Sequence, residues 1–416
     1  MQLRELARDD LDEVAQLHTH IWQVAYRGLV PDDRLESLDW RDRRDLFARW
    51  FEDAEPRGMW IAAWIDGRIV GHVLAGPLRG DHGELHLLYV EPGHWDTGLG
   101  KELLAVGERI LRRTGCVTAE LWTFEANRRS QAFYERNGWA LDGRTRVDEV
   151  ILPGEAIAEV ALRKDLLVDQ TLLNRSYWAD RADFFAPLGE RAWQADPSWG
   201  IFAVSEAEVG LLADVEGADV VEIGCGTGYV SNWCLSEGAA SVVGLDNSPE
   251  QLATARRLAD QHRTTLRLVH GDGHRLPFAD ESFDLAISEY GAAIWCDPAL
   301  WIPEAARVLR PGGRLVFLGN SVLLMTCIPE WEEFAATTEL RRPLRGLNRL
   351  DWIDVDGVQF HVSHGEMIRI ITEAGLRVEA LKELYAPDGA TSDFPFVTAD
   401  WGAKWPVEEA WMALKP

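Results

Sequence analysis

Two hydrophobic periods alternate along this chain. Leu11, Val14, Ala15, Leu17, Ile21 and Val24 recur at helical spacing and predict a helix over residues 9–26, with Asp9 or Asp10 as its cap. A second helix is expected over 40–51. Residues 59–76 then read as two β-rich runs around Asp66 and Gly67, a strong hairpin pair. A strand over 83–92 ends at Pro92. The loop after it opens a helix with Leu99, Leu103, Val106 and Ile110 on one face. A strand over 117–123, a helix over 127–136, a turn at Asn137 and Gly138, and closing strands ending with 157–162 complete this half.

The second half keeps one rhythm, strand, loop and helix. Val220, Val221 and Ile223 form an apolar run that stops at Gly224, Gly226 and Gly228, and a helical pattern follows. A second strand ends at Asp246, after which Ser248 caps a new helix with Pro249 in its first turn. A third strand ends at Asp272 and a fourth at Ser288 to Tyr290. A helix over 299–309, a turn at 310–313 and a strand over 314–320 follow. This alternation predicts an α/β fold with a doubly wound parallel sheet, whose ligands lie beyond the strands' carboxyl ends. Residues 320–360 read as a long insertion, the kind of segment that binds substrate. A helix is expected over 360–376, capped by Ser363 or His364 and packed by Ile368 and Ile371. Residues 161–174 carry no Gly/Pro-rich or Ser-rich tract and read as a last strand turning into a short helix.

Length and charge narrow the function. A chain of 416 residues is too long for one ordinary core. The two halves show no internal repeat. A formal net charge of −26 argues against a nucleic-acid partner, because phosphate binding needs a basic surface. Cys116, Cys225, Cys234, Cys296 and Cys327 show no zinc or redox spacing, so no metal is expected, and they read as reduced thiols of a cytoplasmic protein. The charged start is unlike a secretory signal, and no apolar stretch is long enough for a membrane partner. The sequence gives no oligomeric state.

Three alternating glycines after a buried strand let a ligand press on bare backbone, and a carboxylate about 20 residues on suits two ribose hydroxyls. Glu222 directly before the glycines would repel a pyrophosphate and suits a ligand carrying an amino acid and a sulfonium. The run Glu222-x-Gly224-x-Gly226-x-Gly228 resembles the first motif of the class I S-adenosylmethionine (SAM) dependent methyltransferases, and the phrase from Val308 to Phe317 is typical of them. The resemblance covers nearly all of 173–416 and implies a Rossmann-like domain. It implies SAM contacts at Glu222, Gly224, Gly226, Gly228, Asp246, Asn247, Asp272, Gly273 and Ser288, with Tyr177 and Trp178 in a lid. For a hydroxyl acceptor, His361 or His364 is the candidate general base; an amine acceptor needs none. Trp401, Trp405 and Trp411 read as packing before a cation–π wall.

From Glu84 to Gly138 the chain resembles the GNAT superfamily of N-acetyltransferases. It has a Leu88-x-Val90-x-Pro92 strand, a Gly98-x-Gly100 loop opening a helix, then Asn127 and a Phe133-Tyr134 pair before Asn137-Gly138-Trp139. The resemblance covers residues 1–164 and implies a mixed-sheet α/β domain that binds acetyl-CoA through Leu88, Val90, Thr97, Gly98, Gly100 and Asn127. Backbone N–H groups at the helix start suit the pyrophosphate. Tyr134 is the candidate general acid for the thiolate, and Glu84 or His86 the candidate base, since the two share one strand face by the two-residue period. Trp95 and Asp96 stand where the family carries Arg or Gln and then Gly. The expectation is thus a bifunctional transferase, moving acetyl from acetyl-CoA and methyl from SAM to a small-molecule acceptor, an amine for the acetyl group. The alternative is a methyltransferase alone, joined to a degenerate binding or regulatory module.

Overall fold

The computed structural model describes residues 1–52, 58–148, 155–167, 169–329, 331, 334–353 and 355–416. Parts of the expected closing strands (149–154), of the junction (168) and of the insertion (330, 332, 333 and 354) lie outside these. The chain divides into two compact units, Met1–Val168 and Asp169–Pro416.

In the first unit β1 (Gln2–Glu5), α1 (Leu11–Ala25), α2 (Asp32–Glu36) and α3 (Trp40–Glu52) precede β2 (Met59–Ile65), β3 (Arg68–Arg79) and β4 (His82–Val90). Then come α4 (Leu99–Arg113), β5 (Thr118–Phe124), α5 (Arg128–Arg136), β6 (Ala140–Asp148) and β7 (Ile157–Asp165). The strands form one mixed sheet, β1-β2-β3-β4-β5-β7-β6. Asp66 and Gly67 take left-handed φ values of 50° and 76°, the conformation a two-residue hairpin turn requires. α1 buries Leu11, Val14, Ala15, Leu17 and Ile21 as its spacing predicts, while Val24 is exposed. Asp10 stands at the helix start but makes no side-chain cap; its carboxylate binds Arg4 and the Ala7 N–H.

Two irregularities shape this sheet. The pairing of β3 with β4 steps from Leu74–Leu87 to Ala75–Leu85, so His86 is an extra residue, a β-bulge. The bulge turns neighbouring side chains to different faces: Leu85 lies against Gly107 of α4, whereas Leu87 packs with α1. The parallel pair β4–β5 is joined only at His82–Thr118, Gly83–Ala119 and Glu84–Glu120. Beyond Glu84 the two strands part, leaving a gap at their carboxyl ends.

The second unit begins with α6 (Gln170–Asp180) and α7 (Ala182–Gln194), a small ribbon of β8 (Ser198–Trp199) and β9 (Val204–Ser205), and α8 (Glu206–Val209). The alternating body is β10 (Asp219–Ile223), α9 (Tyr229–Ser236), β11 (Ser241–Asp246), α10 (Pro249–His262), β12 (Arg267–His270), β13 (Phe283–Glu289), α11 (Gly291–Trp295), α12 (Pro298–Val308) and β14 (Leu309–Asn320). It closes with α13 (Val322–Cys327), the hairpin β15 (Arg349–Asp351) and β16 (Val358–Phe360), α14 (His364–Glu373), β17 (Arg377–Leu384), α15 (Ala399–Gly402) and β18 (Glu408–Leu414). The sheet order is β12-β11-β10-β13-β14-β18-β17, parallel up to β14, with β18 antiparallel to both its neighbours. The order reverses beside β10, so the crevice expected of such sheets lies at the carboxyl ends of β10 and β13. Ser248 accepts from the Gln251 N–H and Ser363 from the Glu366 N–H, fixing the starts of α10 and α14. α14 packs through Met367, Ile370 and Ile371, and Ile368 is exposed.

Candidate active sites

The glycine loop of the second unit is held by backbone geometry. Gly224, Gly226 and Gly228 have φ values of 78°, 51° and 77°, which side-chain-bearing residues avoid. The three serve different ends. A Cβ on Gly224 would lie 2.6 Å from the Gly291 Cα, so that glycine lets the loop press on the start of α11. Gly228 faces Leu266 and Ala255 of the core, whereas a Cβ on Gly226 would meet nothing within 4 Å. Gly226 therefore presents bare backbone to open space. Its N–H donates to Asp246 Oδ2 at 2.8 Å, so the loop and the acid at the end of β11 form one unit.

The other expected residues divide between the crevice and its supports. Asn247 takes Arg175 Nε on its Oδ1 and donates to the Thr171 carbonyl, and Thr171 Oγ1 lies 3.4 Å from Asp272 Oδ2. α6 thus reaches over both acidic strand ends through Thr171 and Arg175, one helical turn apart, a pairing the sequence reading missed. Tyr177 stacks on Trp295 at 5.0 Å and is buried, and Trp178 packs edge-on against the same ring. Gly273 lies against Cys296 and Ile223. Glu222 is buried and turned onto Ser231 of α9, taking both its backbone N–H and its hydroxyl. Ser288 is likewise a brace: its hydroxyl donates to the Ile223 carbonyl and accepts from the Ala293 N–H. Burial pushes Glu222 up to about 8 and raises Asp246, while the His274 bond holds Asp272 low.

Asp272, His274 and Cys296 lie close enough to suggest a metal site. The Asp297 N–H donates to His274 Nε2 at 2.9 Å, so the ring proton sits on Nδ1, pointing at Asp272 Oδ1 3.1 Å away. That tautomer leaves the imidazole no lone pair for an ion.

The two candidate histidines separate. His361 is buried against Gln359, and burial, helped by Arg342, pulls its pKa down to about 3. His364 is 43% exposed at its side chain, and its Nε2 lies 2.9 Å from Glu409 Oε1, which also takes the Val322 N–H. His364 lines a groove of about 830 Å³ with Val322, Leu323, Leu340, Arg341 and Leu344. Trp401 and Trp411 are buried in packing, and Trp405 is exposed.

In the first unit the helix start is again built on glycine. Gly98, at φ 99°, precedes α4. Thr97 donates its hydroxyl to the His94 carbonyl, and Val90 and Phe133 flank Gly100. Trp95 is fixed by its indole N–H on the Val90 carbonyl, and Arg129 lies 3.9 Å above its ring, with Asp96 Oδ2 3.4 Å away. A cation from α5 therefore stands at the loop whose own residues supply none. Tyr134 is buried, with no hydrogen bond to its hydroxyl among the described residues, and burial raises its pKa. Asn127 Oδ1 caps α5 on the Ser130 N–H. Glu84 and His86 do meet, at 3.5 Å, but across the bulge instead of by simple alternation. Leu88 and Val90 sit on the part of β4 that has left β5.

Residues 14–139 match the model of the Acetyltransferase (GNAT) family, and residues 221–317 that of the Methyltransferase domain. An uncharacterized N-acetyltransferase of Bacillus subtilis, YuaI, is 29% identical over 178 residues, 42% of this chain and 98% of the relative. A demethylmenaquinone methyltransferase of Corynebacterium kroppenstedtii is 46% identical over 99 residues, 24% of this chain and 40% of the relative. A fatty-acid O-methyltransferase of Mycolicibacterium smegmatis is 35% identical over 131 residues, 31% of this chain and 46% of the relative. The chain spans nearly all of the first of these proteins and less than half of the other two. It therefore carries two domains, an acetyltransferase domain of the GNAT family followed by a methyltransferase domain.

Proposed function

We propose that the chain is a bifunctional group-transfer enzyme, an acetyl-CoA-dependent N-acetyltransferase and a SAM-dependent methyltransferase of small molecules. The observation that carries this reading is common to both units. Each, by itself, sets a glycine-built helix start beside an opening at the carboxyl ends of its parallel strands.

In the second unit the open space over Gly226 fits a nucleoside pressed on backbone, and the donor set suits SAM. Asp246 would take the ribose hydroxyls and Asp272 with Gly273 the adenine. Asn247, Tyr177 and Trp178 would close the site with α6, and Glu222, which burial keeps largely protonated near neutral pH, would supply a negative charge behind the loop once the cationic ligand draws off its proton. SAM supplies an electrophilic methyl group. The protein's part is to hold the acceptor in line with it and to exclude water. The mainly apolar groove at His364 supports an acceptor with an apolar body, and two of the relatives are named for such substrates. His364, steadied by Glu409, would take the proton of a hydroxyl acceptor.

In the first unit the unpaired edge of β4 at Leu88 and Val90 fits the amides of a pantetheine arm, and the start of α4 with Arg129 fits the phosphates. Acetyl-CoA supplies an activated acyl carbon. Tyr134, protonated and unpartnered, would give its proton to the departing sulfur. The acceptor is an amine.

Calorimetry on the full chain tests the reading. One site for each donor is expected, with Asp246→Asn weakening SAM and leaving acetyl-CoA unchanged. Absence of acetyl-CoA binding at millimolar ligand would leave a methyltransferase carrying a binding module.

A further inference from the structure

The groove at His364 is walled by α13, by residues 340–344 and by the start of α14. Most of its lining is apolar, Val322, Leu323, Leu340 and Leu344 included, but Arg341, Arg342 and His364 line it too. Among the described residues no acid lines it, in a chain with 68 acidic residues against 42 Lys and Arg. At about 830 Å³ it has room for a whole small molecule. Apolar walls that carry positive charge complement an apolar molecule with an anionic group.

These polar groups have fixed places along α13. At its start the Val322 N–H donates to Glu409 Oε1 at 3.1 Å, and His364 Nε2 lies 2.9 Å from the same oxygen. An oxygen that already accepts the Val322 N–H meets His364 as an acceptor, so the imidazole proton sits on Nε2 and the lone pair is on Nδ1. Nδ1 takes no hydrogen bond among the described residues. At the other end of α13 the Thr326 carbonyl accepts the Arg341 N–H at 2.7 Å, tying the basic segment there. The helical rise puts these two anchor points about 6 Å apart along the axis. The Arg341 guanidinium pairs with Glu339 at 2.9 Å, with side chains 43% and 70% exposed, so a ligand can exchange for that acid at little cost. Arg342 instead donates to the Met325 and Pro329 carbonyls and lies 5.0 Å from the Trp352 ring centre, which fixes its charge in the wall.

Resting on the methyltransferase reading above, we infer that the second unit's acceptor is an apolar hydroxy acid lying in this groove, its carboxylate on Arg341 and its hydroxyl at His364 Nδ1. The hydroxyl oxygen bonds to the methyl carbon of SAM as the carbon–sulfur bond breaks, and the sulfur keeps the electron pair and becomes a neutral thioether. His364 Nδ1 takes the hydroxyl proton and then passes it to solvent. The products are a methyl ether, its carboxylate untouched, and S-adenosylhomocysteine. Transfer to the carboxylate itself would move no proton and leave the Glu409–His364 pair without a task. Anchors about one helical turn apart call for a short body between the two polar ends, such as a single ring.

The test uses the full chain with SAM and acceptor pairs that differ only in the carboxylate, para-hydroxyphenylacetate against para-cresol and omega-hydroxyoctanoate against heptanol. The better-used acid should exceed its partner in kcat/KM by about tenfold or more, the scale of one charge-assisted contact. Arg341→Gln should erase that preference by lowering the acid alone, with SAM affinity and melting temperature held, and Arg341→Lys should restore part of it. Glu339→Gln, which releases Arg341, should enlarge the preference. With S-adenosylhomocysteine in place of SAM, calorimetry should show the same acid binding the native protein about tenfold more tightly than Arg341→Gln. The product should survive mild alkali, as an ether does and a methyl ester does not. Equal use of acid and partner, an Arg341→Gln loss shared by both, or an alkali-labile product would each overturn the inference. A chain that binds SAM yet methylates neither acid overturns this inference alone. A chain that does not bind SAM removes the methyltransferase reading beneath it.

Discussion

Glu222, Asp246 and Asp272 are all carboxylates at strand ends, yet their hydrogen bonds give them different work. Asp246 grips the glycine loop, Asp272 is held ionised by His274, and Glu222 is committed to Ser231. The same test separates the proton-transfer candidates. His361 is neutral at any working pH and cannot take a proton near neutrality, so His361→Gln should lower the melting temperature and leave methyl transfer nearly intact. His364→Gln should instead cost about a hundredfold in kcat toward a hydroxyl acceptor, the usual scale of a positioned base, at an unchanged melting temperature. Steady-state kinetics beside thermal denaturation distinguishes the two. Tyr134 carries its proton with no partner to hold it back. Tyr134→Phe should reduce acetyl transfer about a hundredfold or more at unchanged acetyl-CoA affinity, because only the thiolate needs that proton. Equal losses of affinity and rate would instead make Tyr134 a packing residue.

At the scale of elements, the second site depends on how closely β10 and β13 end. Tyr290 takes φ 55° and ψ −38°, a strained conformation for a residue with a side chain, and is fixed there by its hydroxyl on Glu408 and its N–H on the Leu318 carbonyl. The turn it makes brings Gly291 against Gly224, where a Cβ on Gly291 would lie 2.2 Å from the Gly224 carbonyl oxygen. Backbone must move to admit it. Gly291→Ala should therefore destabilise the unit by about 1–3 kcal/mol and weaken SAM binding at the same time, read by melting and calorimetry on one sample. Normal SAM affinity in a destabilised variant would uncouple the loop from its support. Such contacts also mark where sequence reading stops. Strand, glycine loop and distal Asp246 were legible because a buried parallel strand is a continuous apolar run and its punctuation is local. The placement of α13 and the hairpin β15–β16 was not, because no period runs through 320–360 to announce it. The bulge at His86 was hidden for another reason: it is a register event between two strands, and neither strand records it alone.

Over the second unit as a whole, burial has left acids on one sheet face. Glu222 of β10, Glu289 of β13 and Glu408 of β18 all lie on the face that α9 covers. Burial pushes them up to about 8, 7 and 7, from an unfolded value near 4.5. Between about pH 4.5 and 8 the folded unit therefore holds protons that the unfolded chain has released, so stability falls as pH rises through that window. The carboxyls held low, such as Asp272 and Glu304, act in the opposite sense but only in acid, below the range of this loss. The ligand-free protein should melt several degrees lower at pH 8.5 than at pH 5.5, since about 1 kcal/mol moves a domain of this size by roughly 2–4 °C. Glu408→Gln should flatten the slope while keeping an acceptor for Tyr290. SAM should act against the same slope. Its cationic groups, set near Glu222, favour the ionised carboxyl, so binding near pH 7 should release a proton and tighten as pH rises. Calorimetry in two buffers of different ionisation enthalpy counts that proton directly. Proton uptake, or a release unchanged in Glu222→Gln, would place the sulfonium away from this acid and leave Glu222 as a brace for Ser231 alone.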